Sequence, residues 1–300
     1  MILALTGATG FVGSHLLDRA LAQGHRVRAL TRRPQPLRVG VTWVDGALDR
    51  PDGLAALVAG ADATIHVAGV VNAPDRAGFA AGNAQGTAAM LAAAADAGVR
   101  RFVHVSSLAA REPGLSDYGW SKAEAERLVA ASALDWTIVR PPAIFGPRDT
   151  ELLELFRLAR RRVVPLPPAG GRLSVIAVGD LSRLLLDLAT TQALVRASVD
   201  PDDGRPDGWD HRDFARAIGD AVGARVVPLP LPGPVLAALS RIEGALRGPR
   251  AKLTADRVRY FCHPDWVAHD RPPADVWVPQ EDTPAALAAT AAWYRGQGLL

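Results

Sequence analysis

The chain begins MILALTGATGFVG, and no other feature of its 300 residues narrows the possible folds as much as the glycines of that run, Gly7, Gly10 and Gly13. An apolar segment, Ile2–Thr6, leads straight into them with the length of a buried strand. A helical pattern leads out. Over Ser14–Gln23 the side chains of Leu16, Leu17, Ala20 and Leu21 fall on one face, and Gly24 is a natural stop. Strand, glycine turn and helix in that order build a corner that holds phosphate. The first glycine makes the tight turn, the second lets backbone approach a pyrophosphate, and the third lets helix pack on strand. The helix N-terminus then aims N–H groups at the anion. The motif predicts a dinucleotide site at the start of the chain, because its place between strand and helix supplies the context that a short glycine pattern needs.

The alternation continues. Arg26–Thr31, Val41–Val44, Ala63–Ala68, Phe102–Ser106 and Trp136–Arg140 read as strands, with helical patterns at Leu54–Ala59, Asn83–Ala97 and Ser121–Ser132 between them. Short continuous apolar strands alternating with helices predict an α/β fold, a Rossmann-type doubly wound parallel sheet covered on both faces. After RPPAIFGP (140–147) proline and glycine become frequent, as in VVPLPPAGG and VVPLPLPGP. The expected organisation is a nucleotide-binding domain over 1–147 and a smaller, loop-rich C-terminal substrate region over 148–300, with about 172–200 returning to the first domain. Helices are expected near 149–161, 180–190, 210–222 and 282–296, and the Ala- and Leu-rich stretch 232–247 reads as a mildly amphipathic helix, buried or docked. The 70s loop and the 200–210 stretch PDDGRPDGWD are the expected mobile segments.

Composition excludes several classes. A chain 49% hydrophobic and 22% charged has enough apolar residues for a core. Its net charge of +3 is small, and no basic segment is interleaved with aromatics, so no nucleic-acid partner is expected. One cysteine, Cys262, leaves no internal disulfide and no cysteine-based zinc site, which fits a cytoplasmic location. No His/Asp/Glu constellation has metal-ligand spacing, so no metal is expected. The apolar start lacks a basic n-region and reads as a strand, not a signal peptide. No apolar run is long enough to span a membrane. Arg157, Arg160, Arg161 and Arg162 close a predicted helix, where cations suit the helix dipole; contact with an anionic substrate is the alternative.

Arginine is the habitual cation here. Only two lysines, Lys122 and Lys252, stand among 34 Lys+Arg, and there are three tyrosines. Yet YGWSK (118–122) sets Tyr118 four residues before Lys122. On a helix the two share a face. A surface pair would stabilise the helix only weakly, and arginine would serve as well. A phenol ordinarily titrates near ~10. A neighbouring ammonium favours its phenolate and makes Tyr118 usable as a general acid or base.

TGATGFVG, ATIHVAG (63–69), NAQGTAAMLAAAADAGVRRFVHVSS (83–107), RPPAIFGP and SVIAVGDLSRLLL together resemble the short-chain dehydrogenase/reductase superfamily, in its extended and atypical NAD(P)-dependent epimerase/dehydratase-like branch. The resemblance covers most of the chain. It implies that Tyr118 and Lys122 are the catalytic pair, that Lys122 also holds the cofactor ribose, and that Ser107 bonds the reacting substrate oxygen. Ser106 would satisfy backbone or lie near the nicotinamide. It assigns cofactor contacts to Gly7, Thr9, Gly10, Phe11, Val12 and Gly13, to Thr31, Arg32 and Arg33, and to Leu48, Ala68, Gly69, Pro141 and Ile144 besides Tyr118 and Lys122. Ser107 stands 11 residues before Tyr118, a shorter gap than in most extended relatives, which implies a clipped active-site loop. Gly46-Ala47-Leu48 stands where relatives carry Gly-Asp-Leu, so the adenine loses its usual carboxylate; Asp45 or Asp49 could replace it. NAD sites place an acid about 20 residues past the glycines. Thr31 stands there, followed by Arg32 and Arg33, which suit a 2′-phosphate. NADP is therefore the expected cofactor, with NAD the alternative. His66 reads as a core histidine and Asn83 as a helix cap.

The expected activity moves a hydride between nicotinamide and a carbonyl or secondary alcohol of a small molecule. One alternative is a nucleotide-sugar epimerase with retained NAD(P), the C-terminal arginines, including Arg172, meeting a diphosphate. A sugar 4,6-dehydratase fits less well, because Leu108, Ala109 and Ala110 follow Ser107 where such relatives carry acids. The alternative from another class is a non-catalytic NADP-binding sensor or assembly factor, against which the Tyr118/Lys122 pair argues. The resemblance also implies a possible homodimer through the helices that contain Asn83 and Ser121.

Overall fold

Each apolar run of the first half becomes a strand of one parallel sheet in the computed structural model, which describes residues 1–248 and 253–300. Lys252 lies outside the described residues. The chain runs β1 (Ile2–Thr6), α1 (Phe11–Ala22), β2 (Arg26–Thr31), β3 (Val41–Asp45), α2 (Pro51–Val58), β4 (Ala63–His66), α3 (Arg76–Phe79), α4 (Gly86–Asp96), β5 (Arg101–Val105), α5 (Asp117–Ala131) and β6 (Asp135–Val139). It continues through β7 (Ala143–Phe145), α6 (Leu153–Arg160), β8 (Val163–Leu166), β9 (Arg172–Leu173) and β10 (Val175–Ala177) to α7 (Val178–Thr190) and β11 (Ala197–Val199). The remainder is β12 (Trp209–Asp210), α8 (His211–Val222), β13 (Val227–Pro230), α9 (Gly233–Arg247), α10 (Ala255–Cys262), β14 (Asp265–Trp266) and α11 (Thr283–Gly296).

The contacts divide the chain into two units. Unit 1 comprises Met1–Pro141, Gly179–Pro201 and Asp270–Trp277; unit 2 comprises Pro142–Val178, Asp202–His269 and Val278–Leu300. The seven-stranded sheet of unit 1 has the order β11-β6-β5-β4-β1-β2-β3. Its direction of growth reverses between β1 and β4, and ligands bind such sheets at the carboxyl ends of the strands beside that switch.

Both faces of this sheet are covered. Phe102 of β5 joins Ala4 and Ile138 against Leu54 and Leu57 of α2, Met90 of α4 and Val129 of α5. Its neighbour Arg101 points the other way, 4% exposed, and donates to the carbonyls of Leu188 (2.8 Å), Asp135 (2.7 Å) and Ala193 (3.2 Å) and to Thr137 Oγ1 (2.8 Å). Burial lowers its pKa to about 10, so the guanidinium stays charged and pins α7 to the sheet.

Unit 2 has its own core, which includes Phe145, Phe156, Trp209, Phe214, Ile218 and Tyr294. Phe156 and Tyr294 meet edge to face at 5.1 Å, and the buried Tyr294 hydroxyl donates to Asp149 at 3.2 Å. Burial pushes both of those acids up from their ordinary pKa values. Three small sheets, β12-β9-β14, β13-β8 and β10-β7, supplement its helices. The expected mobile segments are more structured than their composition implies. The 70s hold α3, capped by Asp75. In 200–210, Asp202 accepts from Ser174 at 2.7 Å, and Asp203 accepts from Trp209 Nε1 and Thr283 Oγ1, each at 2.7 Å.

Candidate active site

The glycine corner is closed by steric necessity. Gly7 has φ +76°, and a Cβ there would lie 2.9 Å from the Ala68 nitrogen. A Cβ on Gly13 would lie 2.0 Å from the Gly7 carbonyl oxygen. Only glycine lets α1 start this close to β1. The Gly10 N–H donates to the Gly7 carbonyl at 2.9 Å, and Gly10 precedes α1 with no side-chain cap and no acid in the first turn. Phe11 and Val12 open that turn, and Thr9 is exposed beside it. An uncapped helix start behind a cradle that side chains would fill is the arrangement a dinucleotide pyrophosphate fits.

At the end of β2, Thr31 is buried and its hydroxyl closes a small turn. It donates to the Arg33 carbonyl at 2.6 Å and accepts the Arg33 N–H at 3.3 Å. Arg32 and Arg33 are exposed and form no ion pair among the described residues, whereas Arg38 and Arg50 pair with Asp18 and Asp45. Leu48 packs on the start of α4, where a Cβ at Gly86 would lie 2.7 Å from its Cδ1.

Every residue of YGWSK has a separate task. Ser116 caps α5, accepting the Gly119 N–H at 2.9 Å. Tyr118 follows in the first turn, half-buried, its ring 6.1 Å from that of Phe79. A Cβ on Gly119 would lie 2.6 Å from the Ala109 carbonyl oxygen, so α5 presses directly on the short 3₁₀ turn Leu108–Arg111. Trp120 lies under the Arg76 guanidinium at 3.8 Å. Ser121 donates to the Tyr118 carbonyl at 2.8 Å. Lys122, 6% exposed, donates to the Val105 carbonyl at 3.0 Å.

The two serines after β5 differ. Ser107 begins the 3₁₀ turn, and its Oγ accepts the Ala109 N–H at 3.2 Å, which leaves its own proton to donate. Ser106 donates to Glu126 at 2.5 Å, and Arg140 grips that carboxylate at 2.9, 3.1 and 2.6 Å. Ser106 is thus committed to a carboxylate rather than to backbone alone. The Pro141 carbonyl accepts the Leu108 N–H at 3.1 Å. Ile144 lies in unit 2, on β7 opposite Ile176.

Asn83 does not cap a helix. The helical path begins at α3 and widens into a π-turn over Ala80–Gln85 before α4. Inside that turn Asn83 is 2% exposed. It accepts the Val70 N–H at 2.8 Å, donates to the Val70 carbonyl at 3.0 Å, and donates to Ser121 Oγ at 2.8 Å. It ties the exit of β4 to α5. A Cβ on Gly69 would meet Asn83 Oδ1 at 2.7 Å and Lys122 Nζ at 3.4 Å, so the backbone at Gly69 passes close over the lysine. Beside it, the Ala68 N–H donates to Thr6 Oγ1 at 3.1 Å.

Beneath this lies a polar row across the sheet. Thr6 Oγ1 meets His66 Nδ1 at 2.8 Å, His66 Nε2 meets Thr87 Oγ1 at 3.1 Å, and His66 stacks on its register neighbour His104 at 5.5 Å. Burial, helped by the Lys122 charge, lowers His66 to about 3. Burial, with His66 and Lys122 adding to it, holds His104 well below its ordinary value. Both imidazoles are neutral. Burial lowers Lys122 to about 8, against the opposing pull of Glu126 one turn on. Sequence reasoning missed Asn83's bridging role, Gly119, His104 and the Glu126–Arg140 pair. One signal for Glu126 was present: it continues the Tyr118, Lys122 face at the same four-residue step.

Comparison with known proteins bears on this geometry. A family model described as NAD(P)H-binding matches residues 7–156. The chain is 39% identical to the ceramide reductase of Caulobacter vibrioides across 100% of its own length and 96% of that protein. It is 32% identical to the 4-hydroxy-2-methyl-3-oxo-4-farnesyl-3,4-dihydroquinoline-1-oxide ketoreductase of Stigmatella aurantiaca, over 56% of this chain and 58% of that protein. Among solved structures it resembles MoeE5 in complex with UDP-glucose and NAD, with TM-score 0.76 and 21% identity over 99% of each chain. At that identity the likeness is one of fold.

Proposed function

The chain belongs to the NAD(P)H-binding family whose model it matches, and from that premise we propose a short-chain dehydrogenase/reductase of the epimerase/dehydratase-like branch, an NADP-dependent reductase acting on a carbonyl of a ceramide-type lipid. The substrate class rests on full-length similarity to a protein named a ceramide reductase. The chemistry rests on one observation above all: Lys122 is buried one turn beyond Tyr118, against the backbone of Gly69.

Bound nicotinamide would supply the hydride. The glycine corner and the start of α1 would hold its pyrophosphate, and Arg32 and Arg33 a 2′-phosphate. Ser107 donates a hydrogen bond to the substrate carbonyl oxygen, and Tyr118 delivers the proton that the oxygen needs. Lys122 remains mainly charged at neutral pH with a pKa of about 8, and its ammonium favours the phenolate left behind. The contact of Gly119 with the 108–111 turn keeps α5, and with it Tyr118, near Ser107's loop.

Tyr118→Phe tests the mechanism. Turnover of NADPH with a keto-ceramide substrate should fall by roughly 10²- to 10⁴-fold while NADPH affinity is kept. Near wild-type turnover would overturn the assignment. Replacing Arg32 and Arg33 with serine should reduce the preference for NADPH over NADH by roughly 10- to 100-fold, read from the two KM values. Stoichiometric NAD(P) released from denatured protein would favour the epimerase alternative.

A further inference from the structure

Helix α9 places its small residues inward and its large apolar residues outward. Val235, Leu239, Ile242 and Leu246 recur at i, i+4, i+7 and i+11, which sets them within an arc of about 60°. They are 43, 42, 57 and 80% exposed. The opposite side carries Gly233, Ala237, Ser240 and Gly244, and Ser240 is the buried residue of the helix. A surface helix ordinarily turns its apolar stripe to the core, and soluble monomers rarely leave such a stripe contiguous and bare. The pattern extends beyond α9. Phe261 of α10 is 43% exposed, and so are Val163 (46%) and Val227 (61%), register partners on the β8–β13 ribbon that leads into α9.

The charges around the stripe indicate what covers it. Arg241 and Arg247 lie about 110–130° to either side of its centre. With Arg257 and Arg259 of α10 they make four arginines against two acids, Glu243 and Asp256. Both acids are already paired, with Arg247 and Arg259, while Arg241 forms no ion pair among the described residues. A second copy docked about a two-fold axis would set two surfaces with the same excess of arginine against each other. A bilayer with anionic headgroups avoids that conflict. The apolar side chains enter the acyl boundary, and the arginine stems reach back to the phosphates. No helix among the described residues is long and apolar enough to cross a membrane, so the attachment is peripheral.

We propose that α9, with Phe261 beside it, seats unit 2 in the surface of an anionic lipid bilayer. The inference is drawn from this face alone and does not depend on the reductase reading. The full chain would be sedimented with phosphatidylcholine vesicles with and without phosphatidylglycerol. The protein should pellet with the anionic vesicles and bind neutral ones, or anionic ones at high salt, at least about tenfold more weakly. Leu239→Asp with Ile242→Asp should weaken anionic-vesicle binding by more than about tenfold with an unchanged thermal melt, since both side chains are exposed. Arg241→Glu should weaken it several-fold. Wild-type protein staying in the supernatant, or the double variant pelleting equally, would overturn the proposal. So would self-association through the stripe with no vesicle binding. Turnover of detergent-solubilised substrate is measured in parallel: vesicle binding without turnover defeats only the reductase reading, and turnover without vesicle binding defeats only this one.

Discussion

Two helices of 15 residues, α5 in unit 1 and α9 in unit 2, depart from the usual polarity of a surface helix in opposite directions. α5 turns Ser121, Lys122 and Glu126 inward, whereas α9 turns Val235, Leu239, Ile242 and Leu246 outward. Burying a charge is costly unless it is paired and hydrogen-bonded. In α5 both charges find partners within unit 1: Val105 receives the ammonium, and Ser106 and Arg140 hold the carboxylate. Leaving an apolar stripe in water forgoes about 25 cal/mol for each Å² that could have been covered. Among the described residues of unit 2 nothing covers the stripe, whose four side chains stay exposed. Internal compensation marks a site finished within the chain, and its lack marks a surface that waits for something else.

That contrast can be broken most forcefully at Glu126. Glu126→Leu leaves the Arg140 guanidinium without its partner and should destabilise the protein by about 3–5 kcal/mol in chemical denaturation. A loss below about 1 kcal/mol would mean that the inward charges of α5 are not held by their partners. The next effect is a dependence on pH. Lys122 titrates at about 8 when folded, against an ordinary 10.5. Between those values the unfolded chain binds more protons, so stability of the cofactor-free protein rises with pH through that window, and the full burial cost applies below it. Lys122→Met should flatten this slope in pH-dependent denaturation; an unchanged slope would assign it to another group. The smallest effect sharpens the other side of the contrast. Leu239→Ser should alter stability in solution by no more than about 0.5 kcal/mol, because the side chain is already exposed. A loss of 2 kcal/mol or more, about what a buried leucine contributes, would show that α9 is covered within the chain after all.

The parallel sheet and the glycine corner were legible because their signals are local. Strands of five or six apolar residues ended by turns leave few alternatives, and Gly7 and Gly13 are required by contacts within a few residues of themselves or with β4's exit. Tyr118 and Lys122 were legible for the same reason, as one helical turn. Asn83 was not. Its inward direction comes from the π-turn over Ala80–Gln85, and no residue pattern announces one extra residue in a helical turn. The same limit applies to α9. Periodicity groups Val235, Leu239, Ile242 and Leu246 on one face, but it does not say whether that face points in or out. That was decided by Gly233, Ala237, Ser240 and Gly244, whose small size lets the other face approach the protein. In PDDGRPDGWD, composition pointed to a mobile loop, while Asp202 and Asp203 find their partners in Ser174 and Thr283, distant in sequence.

The segmentation of unit 1 also sets an order of birth. Its last piece, Asp270–Trp277, is made after most of unit 2 but before α11. The Asp270 carbonyl accepts the Asp200 N–H at 2.7 Å just after β11, and Trp277 lies buried with the Arg183 guanidinium 5.1 Å over its ring. A ribosome that has released β1 to β6 has therefore delivered a sheet with β6 as a bare edge, and it must translate through β11 before that edge is paired. After β11 has closed that edge, unit 1 still lacks its last segment until Asp270–Trp277 is made. Until β11 is made, the bare β6 edge is a surface on which a nascent chain can pair with a neighbour.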